Sequence, residues 1–371
     1  MTGLRADLVH EEPARRLPTD RPARTRAVLF AVLCAACLVI ACGYALVARL
    51  RADARAQAAF AEPAAATSSI GMVSSQSHLV FLQTKGDSYR RVGLLGLDGA
   101  DETRSLTLLR CQRVHMAAGR GLCLGQTSRG GAFTFDDTFQ PRHEISVSGI
   151  PSRARVSPDG RYGAMTVFVR GHSYAAGGFS TQTTLIDMAT GTMLGAEDED
   201  GDGGGRPGLE SFAVYRDGSR FEAEDANFWG VTFARDGDRF YATLGSGGKT
   251  YLIEGDIAGR QARILAENVE CPSLSPSGTR LAYKKRVGGG GLSPIVWRLH
   301  LLDLATMTDA PLAEARNVDD QVEWLDEQHI LYSLPDEDPS TSIRPDIWQL
   351  ALDGSAARRI ASGATSPAVV R

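Results

Sequence analysis

Val156-Ser157-Pro158-Asp159-Gly160-Arg161-Tyr162-Gly163-Ala164-Met165 decides the fold, because the same pattern returns along the chain. Phe233-Ala234-Arg235-Asp236-Gly237-Asp238-Arg239-Phe240-Tyr241-Ala242 and Leu274-Ser275-Pro276-Ser277-Gly278-Thr279-Arg280-Leu281-Ala282-Tyr283 repeat its order: a short apolar strand, a tight turn, then an alternating strand. In the turn, the Asp or Ser side chain bonds the backbone ahead of it and Gly supplies the positive φ. Weaker copies surround Gly119 and Gln328. Gly119 and Gly160 lie 41 residues apart, as do Gly237 and Gly278, while Gly160 to Gly237 is 77. A period near 40 with strand-like content is the mark of a propeller blade, and the step of 77 reads as one blade plus a large insertion.

A third strand follows in each unit and ends in an acidic turn. Examples are Thr184-Leu185-Ile186-Asp187-Met188-Ala189-Thr190-Gly191 and Leu299-His300-Leu301-Leu302-Asp303-Leu304. Five such copies, with a weaker one at Gly131-Ala132-Phe133-Thr134-Phe135, make six units. The expected fold class is therefore all-β, a six-bladed β-propeller over residues 77–371. His78-Leu79-Val80-Phe81-Leu82-Gln83 reads as a second strand without a first, and Thr365-Ser366-Pro367-Ala368-Val369-Val370 reads as the missing first strand. The C-terminal strand is thus expected to complete the first blade and remove the ring's open edges.

These repeats resemble a known family. Ser157-Pro158-Asp159-Gly160-Arg161 and Ser275-Pro276-Ser277-Gly278-Thr279-Arg280-Leu281-Ala282-Tyr283 are similar to the WD40-like repeat of TolB-like six-bladed propellers. The whole chain looks most like the membrane-anchored "TolB-like translocation proteins" of high-GC Gram-positive bacteria. The resemblance implies the propeller fold and says little about function.

The N-terminal part follows different rules. Residues 1–26 carry six Arg against four acidic residues and three Pro, the composition of a disordered tail. Ala27 to Ala48 then runs without a charge, long enough to be a transmembrane helix, with residues 49–76 as a linker or stalk. The excess of Arg before the apolar run favours a cytoplasmic N-terminus and a propeller outside the cytoplasmic membrane. Two alternatives are a lipoprotein modified at Cys42, within Val39-Ile40-Ala41-Cys42, and a secreted form cleaved after Ala59-Phe60-Ala61. All three place the propeller beyond the membrane.

Composition excludes one class of partner. Forty Lys and Arg against 44 Asp and Glu give a net charge of −4, which argues against nucleic-acid binding through a basic field. Enzyme signatures are absent: no Gly-x-Ser-x-Gly elbow and no metal-ligand spacing among the His residues. Asp198, Asp200 and Asp202, with Gly201 and Gly203, match the core of a Ca²⁺ loop, but the twelfth position is Leu209 rather than Glu. The alternative there is a solvated acidic insertion. Cys111 and Cys123 straddle a turn near Ala117 and are placed either to pair as a disulfide or to pack as two small buried residues. Cys271 falls three blades from Cys111, too far to bridge it. Trp229, Trp297, Trp324 and Trp348 read as blade packing, and Phe228-Trp229-Gly230 as a segment lining the channel.

The expectation is a membrane-anchored, extracytoplasmic binding or scaffolding module for a cell-envelope protein or peptide. The alternative is an exported enzyme or small-molecule binder that uses channel carboxylates and, through the acidic loop, Ca²⁺. Converging carboxylates or His at the channel mouth favour the second reading, and an apolar or mixed rim favours the first.

Overall fold

A computed structural model describes residues 28–47, 77–97, 104–125, 131–169, 180–195, 208–290, 293–335 and 344–371. The Ca²⁺-loop candidates Asp198, Asp200 and Asp202 lie outside the described residues, as does Ala59-Phe60-Ala61. Two compact units are present, divided between Ala52 and Asp53. In the first, Val28–Val47 forms a helix of 20 residues, about 30 Å long at 1.5 Å per residue. Its length and composition suit a membrane span or a signal sequence.

The second unit is an all-β propeller of six blades. Blade 1 contains β1 (His78–Gln83), β2 (Arg91–Gly96) and β3 (Ser105–Arg110). Blade 2 is β4 (Arg113–Ala117), β5 (Arg120–Leu124), β6 (Gly131–Asp136) and β7 (Pro141–Ser146). Blade 3 is β8 (Ile150–Val156), β9 (Tyr162–Val169) and β10 (Ser180–Asp187), with an isolated bridge from Ile186 to Met193 where a fourth strand would run. The insertion before blade 4 supplies β11 (Ala213–Arg216) and β12 (Ser219–Arg220). The blade itself is β13 (Asn227–Phe233), β14 (Arg239–Ser246), β15 (Lys249–Asp256) and β16 (Gln261–Glu267), and β11 pairs in parallel with β16 to extend its outer edge. Blade 5 is β17 (Glu270–Leu274), β18 (Arg280–Gly290), β19 (Ser293–Asp303) and β20 (Asp309–Pro311). Blade 6 is β21 (Glu323–Trp324), β22 (His329–Pro335), β23 (Pro345–Ala351) and β24 (Arg358–Ala361).

The last strand, β25 (Ala364–Val370), pairs antiparallel with β1, so blade 1 runs β25-β1-β2-β3. The innermost strands touch in the order β25, β4, β8, β13, β17, β21 and back to β25, which closes the ring around a central channel.

The repeated turns carry the chemistry their residues allow. Gly160 has φ +72° and its N–H donates to the Ser157 carbonyl at 2.8 Å. The Ser157 hydroxyl oxygen accepts the Tyr162 N–H at 2.9 Å, and Asp159 Oδ1 accepts the Arg161 N–H at 3.0 Å. Blade 5 repeats the device: the Gly278 N–H reaches the Ser275 carbonyl, and the Arg280 N–H donates to Ser275 Oγ at 3.1 Å. The acidic turn after the third strand is an Asx turn. Asp187 Oδ1 accepts the N–H of Ala189 and Thr190, and Asp303 Oδ1 that of Ala305 and Thr306.

Blade interiors share a further device. Phe81 pairs across the strand with Gly93, Phe135 with Gly121, and Phe240 with Gly255. In each pair the ring lies over the glycine, where a Cβ would overlap it. Gly121→Ala is therefore expected to displace the buried Phe135 ring and cost about 1–3 kcal/mol of stability. Urea unfolding checks this, and an unchanged midpoint would refute it.

Candidate functional site

At one end of the channel a cavity of about 1270 Å³ is lined by blades 2 to 5, from β4, from β8 to β10, from β13 to β19, and from the segment before β21. Most of the innermost strands are bulged near their starts. The ladder shifts between Pro151 and Arg153, Trp229 and Thr232, and Glu270 and Ser273, and in β25 opposite Val80 and Leu82. Gly230, Cys271 and Ser366 take left-handed φ of 66°, 48° and 57° at three of these points. A bulge re-aims the side chains beside it. Here Arg153, Trp229 and Cys271 come to line the cavity. Gly230 is required, because a Cβ on it would lie 2.7 Å from the Cys271 Cα.

Lys284 of β18 lies between two carboxylates in the cavity. It is buried, ion-pairs with Asp319, lies 3.5 Å from Glu270 and sits 4.3 Å over the Trp297 ring. Burial alone would lower its pKa, but the surrounding negative groups, Asp319 and Glu270 among them, outweigh this and raise it. Burial pushes the Glu270 carboxyl up, against the pull of Lys284. Asp320 is engaged by backbone: Oδ1 accepts the Gln321 N–H and Oδ2 the Ser333 N–H, both at 2.9 Å.

Beyond the mouth the channel narrows to a space of about 50 Å³ and widens again to about 310 Å³ at its far end. A buried triad crosses it between these spaces. Glu323 ion-pairs with Arg155, and its Oε2 lies 3.4 Å from His115 Nε2. Its Oε1 accepts the Val369 N–H of the closing strand at 3.2 Å. Arg155 also donates to the Val322 carbonyl at 3.0 Å. The Val156 N–H donates to His115 Nδ1 at 3.1 Å, and His115 Nε2 lies between Glu323 Oε2 and Arg155 Nη1, the latter at 3.1 Å. Burial is the largest influence on His115 and lowers its pKa. Burial is also the largest influence on Glu323 and pushes it up, but the Arg155 charge, the interaction with His115 and the Val369 N–H prevail and hold it at about 2.

Carboxylates thus converge at the mouth, as Glu270, Asp319 and Asp320, but each already has an ammonium or backbone partner. Burial raises Asp319, but the charge and hydrogen bond of Lys284 outweigh it and lower its pKa, which makes it a poor base, whereas Glu270 stays raised by burial. Among the described residues no group of three His, Cys, Asp or Glu side chains is arranged to hold a metal ion. The rim is mixed: Phe168, Val287 and Ile295 line the opening with 38%, 53% and 38% of their surfaces exposed, beside the exposed charged residues Lys249, Glu267 and Arg286. Trp229 and Trp297 line the cavity, whereas Trp324 Nε1–H donates to the Ser273 carbonyl within the blades.

Cys111 and Cys123 are away from this site. The structure joins them as a disulfide in blade 2, with Cα atoms 5.4 Å apart and both residues buried. The hairpin turn is Ala118-Gly119 rather than Ala117, so Cys123 pairs with Val114 and Cys111 approaches from just before β4. Cys34, Cys37, Cys42 and Cys271 are free. The denatured full-length protein is expected to react four of its six thiols with a thiol reagent, and six would show that the bond does not form.

Arg113, Arg153, Glu270, Lys284 and Asp319 were not distinguishable in the sequence as site residues. One signal existed: Lys284 directly follows the apolar run Leu281-Ala282-Tyr283 on the second strand of blade 5.

No known protein family matches the sequence, and no curated protein does. Solved structures match in fold. TolB from Acinetobacter baumannii aligns with a TM-score of 0.53 at 14% identity, covering 80% of this chain and 67% of that one. A chain of the nidogen/laminin complex aligns with a TM-score of 0.50 at 13% identity, covering 79% and 98%. An oligogalacturonate lyase in complex with manganese aligns at 0.39 and 10% identity, covering 71% and 82%. At such identities the likeness concerns the fold alone, and the chain is a six-bladed β-propeller with the fold of TolB.

Proposed function

We propose that this propeller is a binding module that docks a protein or peptide segment of the cell envelope at the mouth of its channel. One observation carries the reading: a cavity of about 1270 Å³, larger than the about 300–1,000 Å³ of small-molecule sites, opens between the exposed apolar side chains Phe168, Val287 and Ile295. Its fixed charges would set specificity and its rim would supply contact area. One structural neighbour was solved as a complex of two proteins, nidogen and laminin, which supports a protein partner for this fold. The helix Val28–Val47 would anchor the module in the cytoplasmic membrane with the propeller outside.

Photo-cross-linking in intact cells tests this. A photoreactive residue at Val287 or Ile295 of the full-length protein should give a discrete protein adduct, and one at Leu108, exposed on the outer strand β3, should not. Equal labelling at all three positions, or none at the mouth, would rule the docking site out. A second reading, an exported enzyme or small-molecule binder, draws on the convergence of Glu270, Asp319 and Asp320. Their engagement by Lys284 and backbone amides weighs against it.

A further inference from the structure

Two arginines at the channel mouth are arranged as no internal ion pair requires. Arg113 begins β4, and Arg153 follows the bulge in β8. Arg113 Nε donates to the Ser152 carbonyl at 2.6 Å, and an Arg153 Nη donates to the same oxygen at 2.9 Å. Two like charges are therefore gathered on one neutral acceptor. The other bond of Arg113 runs to the Gln112 carbonyl at 3.0 Å, so every N–H···O bond of either guanidinium among the described residues is to backbone. Arg153 Nε is buried with no hydrogen-bond partner among the described residues. Nearby carboxylates are engaged elsewhere, Glu270 and Asp319 by Lys284 and Asp320 by backbone N–H groups. Both arginines line the large cavity, and both also line the narrower space behind it.

A buried guanidinium stays charged, and its planar fork matches a carboxylate with two parallel bonds. Burial and then the charge of Arg153 lower the Arg113 pKa against the pull of Asp320, whereas at Arg153 burial is outweighed by Cys271, Asp320 and Asp319, which raise it; an anion between the two guanidiniums would relieve their mutual repulsion. We propose that Arg113 and Arg153 together form the subsite for a carboxylate of the docked segment, so that the mouth selects acidic peptides whose Asp, Glu or free C-terminus lies beside apolar residues. This rests on the docking reading above and names the chemistry of its ligand. The apolar neighbours would contact Trp229, Phe168 and Ile295, which line the same cavity.

The test is selection of random twelve-residue peptides, displayed with free C-termini, on immobilised full-length protein in detergent. Enriched peptides should carry a carboxylate beside an aromatic or aliphatic residue. Resynthesis with Asn for Asp, Gln for Glu or an amidated C-terminus should weaken binding about 30-fold or more and show which carboxylate is read. Arg113→Gln and Arg153→Gln should each lose binding to a similar degree. The peptide variants keep the test decisive if an arginine variant misfolds. Neutral peptides that bind as well as acidic ones, or acidic peptides that bind both arginine variants unchanged, would overturn the carboxylate subsite and leave the docking site standing. Enrichment of no peptide would overturn the docking reading and the subsite with it.

Discussion

Deleting residues 364–371 is expected to abolish the soluble, cooperatively unfolding propeller. This strand is the innermost of blade 1 and pairs along β1 from His78–Val370 to Gln83–Ala364. Without it, β1 becomes an open edge carrying Leu79, Val80, Phe81 and Leu82, all buried in the intact ring. Burying an apolar side chain of this size is worth about 1.5–3 kcal/mol. Opening even half of the four to water would cost about 3–6 kcal/mol, against a total stability of about 5–15 kcal/mol. The deletion also removes the Val369 N–H from Glu323 and the Ser366 hydroxyl from the Val114 carbonyl, contacts that tie blade 1 to blades 6 and 2. An unpaired apolar edge promotes association, so aggregation should accompany the loss. Chromatography and urea unfolding read the result. Placing 364–371 ahead of Ser77 through a short turn should restore folding, because Val370 and His78 already face each other as a hairpin would place them. A deletion variant that stays monomeric with an unchanged midpoint would show that the ring does not depend on this closure.

Glu323→Gln is expected to lower stability by about 3–5 kcal/mol, because it leaves Arg155 buried without its counter-ion. Glu323 serves Arg155 of blade 3, His115 of blade 2 and the Val369 N–H of blade 1 from its own place in blade 6, so one carboxylate joins four blades. Replacing the charged pair together, as Arg155→Met with Glu323→Leu, should cost far less than the single change, since no unpaired charge remains. The triad also sets the response to acid. The folded pKa of Glu323, about 2, lies below its ordinary 4.5, so its stabilisation is complete above about pH 4.5 and is lost as pH falls toward 2. His115 is also depressed, from an ordinary 6.5, so the unfolded chain takes up its proton first and stability declines as pH drops below that value. Unfolding measured from pH 7 to pH 3 should show this fall in the wild type and a flatter curve below pH 4.5 in Glu323→Gln. Parallel curves would remove Glu323 from the account.

The channel mouth was much less legible than the blades. Ser157, Asp159 and Gly160 specify their turn through bonds to residues at most five positions away, so neighbouring residues alone define it. Arg113 and Arg153 come from two innermost strands, Lys284 from the second strand of blade 5 and Asp319 from the segment before β21, so they meet only once the ring has closed, and sequence spacing says nothing about which charges face the channel. The bulges at Gly230 and Cys271 add to the difficulty, since each interrupts the two-residue alternation by which a strand's inner face is read. The step of 77 residues shows the same divide. Its excess over one blade was visible in the sequence, but its pairing was not: β11 lies parallel to β16, the outer strand of the blade that follows.

By itself the sequence determined an all-β repeat of six blades, the turn chemistry at Asp159, Gly160 and Asp187, and an apolar N-terminal helix long enough to cross a membrane. Each rests on local bonding or on periodicity, which is written in consecutive residues. Only the tertiary structure decided that Glu323 reaches Arg155 and His115 across the channel, that Lys284 is held between two carboxylates over Trp297, and that Arg113 and Arg153 share the Ser152 carbonyl. Those contacts join residues up to 208 positions apart. Their energies depend on burial and on the nearest opposite charge, and both exist only once the ring has closed.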